Sequence, residues 1–242
     1  AISTSGSSEK TLTRKAVLAL AEATAADALP INFSSVSEAD VRLEAVLEDQ
    51  LAGAMARGEI AIAFQPQIKI ETGQLIGAEA LARWEHPEYG LLGASTLFAV
   101  AERAGMMDSL SAQIHKQALT LAARWPESIR FLRLSLNVTA GDLATLAFDV
   151  NILEQAQNAG FDPRQLNLEI TESELIGNLS ASAGKLQRLR NVGVRIAIDD
   201  FGTGYSSLSY LKQLPIDYLK IDSGLTQDIS GSPKGQVVVR SI

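Results

Sequence analysis

The chain has no cysteine and only two histidines, His86 and His115. Without thiols it forms no disulfide and performs no thiolate chemistry, and that usage fits a reducing compartment, which points to the cytoplasm or to the cytoplasmic portion of a larger protein. Two histidines are too few for a histidine-rich metal centre. Positive charge is also short: the formal net charge is −7 and the pI about 5.0. An acidic balance argues against non-specific binding to nucleic acid or to anionic membranes. No apolar run reaches the roughly 18 residues of a membrane span. The opening AISTSGSSEK has neither an initiating Met nor the basic-then-apolar pattern of a signal peptide, so a fragment of a longer chain is expected. What is present is a hydrophobic fraction of 46% over 242 residues. That is enough for one barrel-sized domain, alone or with a short extension.

Residues 1–36 differ in texture from the rest. Ala16–Ala28 is alanine-rich and stops at Pro30. From Ser37 onward the pattern turns globular. Ser37 is placed to cap a helix with Glu38 and Asp40 in its first turn. Leu43, Leu47, Leu51 and Met55 then recur every four residues, and Gly58 ends the stripe. Ile60–Ile70 reads as a strand, ETGQ as a tight turn, and Leu75–Arg83 as a second strand. The short link predicts an antiparallel pair. Strands and helices then alternate. Helices are expected from Ser95 to Gly105, Asp108 to Arg124, Phe148 to Ala159 and Glu174 to Arg190. Strands are expected at Phe131–Val138, Leu166–Thr171, Val194–Asp199 and Tyr218–Asp222. Such alternation predicts a parallel sheet.

Strands of a parallel sheet are covered on both faces and usually read as continuous apolar runs. These do not. Glu79, Leu81 and Arg83 share a face of one strand, and Asn137 falls with Arg133 and Ser135 on the next. Asn167, Glu169 and Thr171 oppose Leu168 and Ile170. Asp199 and Lys220 occupy equivalent faces of the last two strands, with Asp200 beside Asp199. These polar groups cluster toward the C-terminal strand ends, where βα barrels build active sites. Each acid taken alone reads as a helix cap or an ion-pair partner. A lane of five oxygen donors without His or Cys instead suits hard cations, Mg²⁺ or Mn²⁺, with Ca²⁺ as a blocking ion. Two such ions can hold a phosphodiester and activate water. His86 is expected in a surface loop, His115 as packing or surface on its helix, and Trp84 and Trp125 as core.

The stretch VRIAIDDFGTGYSSLSYLKQLPIDYLKID carries a family resemblance. DDFGTGYSSL followed by LKID resembles the EAL family of cyclic-di-GMP phosphodiesterases, and Glu79-Ala80-Leu81 within EALARW extends the likeness upstream. The resemblance runs from about Leu43 to Ile242 and implies a TIM-like (β/α) barrel whose first strand is antiparallel. It implies that Glu79, Asn137, Glu169, Asp199 and Asp200 are metal ligands. Lys220 would position the attacking water, and Glu172 would steady the DFGTGYSSL loop. Gln65, Leu81, Arg83 and Asp222 would contact substrate. The activity implied is two-metal hydrolysis of cyclic-di-GMP to linear pGpG, which the histidine count separates from the His-Asp phosphodiesterases. The sequence departs from the family at VVVRSI, before motifs of the seventh and eighth barrel strands, so a truncated EAL domain at 37–242 is expected. Residues 1–36 resemble the tail of a GGDEF domain or an ordinary linker, and a sensory or GGDEF domain and a homodimer are implied in the parent protein. The alternative is a catalytically weak EAL domain that senses cyclic-di-GMP or binds a protein. A metal-dependent lyase on the same barrel fits the lane but not the DDFGTGYSSL loop.

Overall fold

A computed structural model of the chain describes residues 38–172, 174, 179–201 and 214–222. The proposed cap Ser37, residues 1–36 and most of the DFGTGYSSL loop lie outside them. Helix α1 (Glu38–Arg57) leads into the antiparallel pair β1 (Ile60–Lys69) and β2 (Gln74–His86), as the short turn predicts. A three-residue strand β3 (Gly90–Leu92) folds back on the end of β2. Helices α2 (Ala94–Arg103) and α3 (Met107–Ala122) follow, then β4 (Arg133–Val138). A short helix α4 (Ala140–Ala144) and α5 (Phe148–Ala159) precede β5 (Leu166–Thr171). Helix α6 (Leu179–Asn191) leads to β6 (Arg195–Phe201) and then β7 (Tyr218–Ile221). Neither β3 nor α4 is anticipated by periodicity, because three and five residues are too few to show one.

The sheet order is β1-β2-β4-β5-β6-β7, parallel from β2 onward, with β3 beside β2. Strands linked by helices in this order build the wall of a (β/α) barrel. Among the described residues that wall is not closed. Alternation sends one set of side chains outward. Leu134, Leu136, Leu168, Ile170, Ile196 and Ile198 bury themselves with Ile152, Leu186 and Leu189 of the outer helices. A second cluster gathers Leu47 and Leu51 of α1, Trp84 of β2, Leu97 of α2 and Leu110 of α3. The apolar stripe read from α1 therefore meets the antiparallel end of the sheet. Each core face that points outward leaves the opposite, polar residues of the same strands on the inner face.

His86 is not on a surface loop. β2 runs three residues beyond Arg83, and its end pairs with β3, His86 opposite Gly90. The ring is buried between Trp84 and Tyr89, with centroids 5.2 and 4.7 Å away. Its Nδ1 accepts from the backbone N–H of Glu88 and Tyr89, so Nε2 carries the proton and donates to Gln50 Oε1 at 2.7 Å. His86 braces the turn out of β2. Trp84 is fully buried and Trp125 packs against the larger core, as the sequence suggests.

Candidate functional site

The inner lane converges on one ammonium group. Lys220 Nζ of β7 donates to Glu169 Oε2 at 2.5 Å, Asp199 Oδ2 at 2.6 Å and Glu79 Oε2 at 3.2 Å. Asn137 Nδ2 donates to Glu79 Oε1 at 3.0 Å. The strand register explains the meeting. Asn137 stands opposite Glu169, and Gln65 stands opposite Glu79 on β1. One oxygen each from Glu79, Glu169 and Asp199 lies within 4.8 Å of the others.

Adjacent Asp199 and Asp200 belong to opposite faces of a regular strand. A β-bulge changes this. Ile198 pairs with Leu219 and Phe201 with Ile221, so the two aspartates face the single residue Lys220. Asp200 takes φ of 52°, a left-handed conformation that Asp tolerates better than most residues, and its N–H donates to Asp199 Oδ1 at 2.9 Å. Asp200 is exposed, yet partial burial and the nearby charges of Asp199 and Asp222 raise its carboxyl above the usual range. Asp222 is half-buried just past β7.

The electrostatics favour a cation. Burial, and then the charge of Glu79, raise the Glu169 carboxyl above its ordinary value despite Lys220. Burial alone would lower Lys220, but Glu169, Asp199 and Glu79 outweigh it and hold the ammonium well above its ordinary value. Three carboxylates against one ammonium leave a formal surplus of two negative charges. Oxygen donors with that surplus and that mutual reach fit a hard divalent cation.

Other predicted residues fall around this centre. Leu81 and Arg83 line a hollow of about 450 Å³ with Leu91 and Ser95, and Arg83 Nη1 donates to the Ala82 carbonyl at 2.8 Å. Gln65 is exposed on β1. Glu172 is buried one residue past β5, and the loop expected to touch it lies outside the described residues beyond Phe201. Thr171 turns to Glu174, whose Oε2 accepts from the Thr171 N–H and hydroxyl. A larger cavity, about 1110 Å³, opens along the inner face and is lined by Arg133, Asn167, Arg195 and Tyr218 as well as Glu169 and Lys220.

Two residues escape a reading from sequence. Gln67 Nε2 reaches Ser135 Oγ at 3.2 Å and Glu169 Oε1 at 3.3 Å. Its spacing of two from Gln65 is the signal that places it on the same face of β1. His115 Nε2 sits 2.8 Å from the Asn137 carbonyl, where no periodicity points. Behind Asn137, Thr139 and Asp142 form a capping box at the start of α4, and Ser111 Oγ donates to Asp142 Oδ2 at 2.6 Å. Lys185, buried in α6, closes the other end of α4 by donating to the Leu143 and Thr145 carbonyls.

A family model described as the EAL domain matches residues 48–242. The cyclic di-GMP phosphodiesterase PA2567 of Pseudomonas aeruginosa is 39% identical over 181 residues, covering 75% of this chain and 31% of that protein. The chain therefore spans about a third of that relative's length. Among solved structures, the PaMucR phosphodiesterase in complex with c-di-GMP superposes with a TM-score of 0.75 at 32% identity, over 81% of this chain and 80% of that one. BlrP1 of Klebsiella pneumoniae, solved with calcium and cyclic di-GMP, gives a TM-score of 0.66 at 30% identity, over 76% and 45%.

Proposed function

The chain belongs to the EAL domain family, and from that premise we propose that it is a metal-dependent phosphodiesterase that hydrolyses cyclic-di-GMP to linear pGpG. One observation carries the reading: Glu79, Glu169 and Asp199 gather around Lys220 on the inner face of a barrel wall. The names of PA2567 and PaMucR support the substrate. Glu79, Asn137, Glu169 and Asp199 would hold one Mg²⁺ or Mn²⁺, and Asp200 would lie toward a second. Bound divalent ions supply positive charge to the phosphodiester and acidify a water. Ca²⁺, larger and less demanding in geometry, would fill the same oxygens and inhibit.

The chain's own groups set the rest. In the metal-free site the carboxylates of Glu169, Asp199 and Glu79 hold Lys220 as an ammonium. It donates hydrogen bonds, which suits the orientation of an attacking water. Arg83, whose fork can grip a phosphate oxygen pair, is the proposed phosphate contact, with Gln65, Leu81 and Asp222 around it. Glu172 is the proposed support of the DFGTGYSSL loop. Residues 1–36 are proposed as an extension, the tail of a GGDEF domain or a linker, ahead of the EAL domain at 37–242. A homodimer and a sensory or GGDEF domain are proposed for the parent protein. No helix among the described residues is long and apolar enough to cross a membrane.

The test is turnover of cyclic-di-GMP with Mg²⁺ or Mn²⁺, followed by separation of pGpG from substrate. Full turnover in excess chelator refutes the metal assignment. Binding of cyclic-di-GMP without hydrolysis in every added metal makes the domain a sensor instead.

A further inference from the structure

β4 is held unevenly where it delivers Asn137. Its pairing with β2 stops at Leu136, opposite Ala80, while its pairing with β5 continues to Val138. On the flank that β2 has left stands α3. Two of its residues one turn apart, Ser111 and His115, are 2% and 3% exposed. His115 Nε2 lies 2.8 Å from the Asn137 carbonyl, and Ser111 Oγ lies 2.6 Å from Asp142 Oδ2. A carbonyl only accepts, so Nε2 carries the proton and donates. Among the described residues this is the ring's one side-chain hydrogen bond. An apolar residue would fill a buried helix face without the penalty of desolvating an imidazole. The imidazole is explained if the donor is what the site requires.

We propose that His115 is a positioning residue for the metal site: it fixes the Asn137 peptide, and so aims the Asn137 side-chain oxygen at the cation. The proposal rests on the metal-site reading given above. Asn137 Nδ2 already donates to Glu79 Oε1 at 3.0 Å, which leaves its Oδ1 as the free donor atom of that amide toward a cation. The side chain is short, so its aim follows the backbone. β5 still pairs on one flank, and on the flank where β2 no longer pairs the Asn137 carbonyl takes its hydrogen bond from His115. Groups that orient metal ligands typically change metal affinity by about 10- to 100-fold when removed. Ser111 holds the same corner through Asp142 and α4, its hydroxyl donating to Asp142 rather than to Asn137.

The choice of variant matters. A void of about 20 Å³ already adjoins Leu81, Ser111, His115 and Asn137. His115→Ala would enlarge it enough for a water that replaces the lost donor. His115→Phe keeps the ring volume and removes the N–H, and His115→Gln restores an N–H donor. Mn²⁺ affinity is measured on the whole chain by the loss of the free-ion electron paramagnetic resonance signal, beside thermal melts and cyclic-di-GMP kinetics. The expected result is Mn²⁺ binding about tenfold weaker in His115→Phe and largely recovered in His115→Gln. kcat at limiting Mn²⁺ falls while KM for cyclic-di-GMP holds, and added Mn²⁺ restores kcat. Ser111→Ala lowers the melting temperature and leaves Mn²⁺ affinity unchanged. If His115→Phe does not fold, His115→Met takes its place with the same expectation. Unchanged Mn²⁺ affinity in the donor-free variant overturns the proposal while leaving the metal site intact. So does a glutamine variant no better than the phenylalanine, or a loss in Ser111→Ala equal to that in His115→Phe. An unaltered chain that binds no Mn²⁺ removes the metal-site reading itself, and this inference with it.

Discussion

Lys220 is one residue doing two electrostatic jobs. It neutralises part of a cluster that would otherwise repel itself, and it keeps a donor where the lane converges. Its ammonium is raised by Glu169, Asp199 and Glu79 against the opposing effect of burial. A lysine whose folded value exceeds its unfolded one contributes stability that is complete below the unfolded value, about 10.4, and is lost only as the pH rises through the folded value. Lys220→Met should therefore keep a constant stability difference from the metal-free parent between pH 7 and about 10, read from denaturant midpoints. A difference that changes between about pH 7 and 10 in the metal-free chain would contradict an ammonium held charged by its carboxylate neighbours. The carboxylates are the other half of the cluster. Glu79→Gln and Asp199→Asn each keep the side-chain shape and remove a charge, and each should reduce Mn²⁺ affinity and turnover by more than the roughly 10- to 100-fold typical of groups that only orient a ligand. Titration of Mn²⁺ with turnover assays at saturating metal checks both, and unimpaired activity in either variant counts against the ligand assignment.

At the scale of elements, close approach decides how the lane is braced. Gln67 crosses from β1 to Ser135 and Glu169 over Gly77 of β2. A Cβ at Gly77 would stand 2.8 Å from Gln67 Oε1 and 2.9 Å from the Arg133 carbonyl. The carbonyl belongs to a paired strand and cannot yield cheaply. Gly77→Ala should destabilise the fold by about 1–3 kcal/mol, read from denaturant midpoints, and should disturb Glu169 through Gln67. The outer helices are tied by a different device. Arg188 of α6 donates to Asp149 of α5 at 2.6 Å, and this hydrogen bond is the main reason the Asp149 carboxyl lies below its usual value. A depressed folded value contributes stability that is present above the unfolded value, about 3.9, and lost as the pH falls through the folded one. Asp149→Asn should thus be less stable than the parent at pH 6, and the gap should close below about pH 4. A gap that stays constant with pH would mean the pair contributes nothing through charge.

For the whole molecule, the acidic balance and the site belong together. A chain of net charge −7 repels an anion on balance, and bound cations offset that repulsion at the site. Cation binding to the folded state alone also links to global stability, by about 2.7 kcal/mol at a concentration one hundred times Kd. Mn²⁺ should therefore raise the melting temperature, and Asp199→Asn should abolish most of the rise at the same concentration. Differential scanning fluorimetry across a metal series checks this. An equal rise in the variant would place the bound ion elsewhere.

How much of this was legible in the chain depends on the range of the physics involved. Alternation along a strand is local, so the faces of Glu79, Asn137, Glu169, Asp199 and Lys220 follow from residue order alone. The helix stripe of Leu47 and Leu51, and the antiparallel start implied by a short turn, follow for the same reason. Gln67 follows from the same spacing, two residues from Gln65 on β1. Contacts between distant strands are another matter. Glu79 and Lys220 are 141 residues apart, and their meeting depends on register and on curvature of the whole wall. The bulge that turns Asp199 and Asp200 toward one lysine is a two-strand property. His86 is buried in β2 rather than exposed on a loop because a three-residue strand, too short to leave a period, pairs with the end of β2. His115 reads as one more residue on a helix face until β2 lets go of β4 and leaves a carbonyl there for it to hold. Residue order along each strand decides which side chains share a face. Which of them touch is decided by sheet registry and packing across the molecule, because contact depends on distant strands rather than on neighbours along the chain.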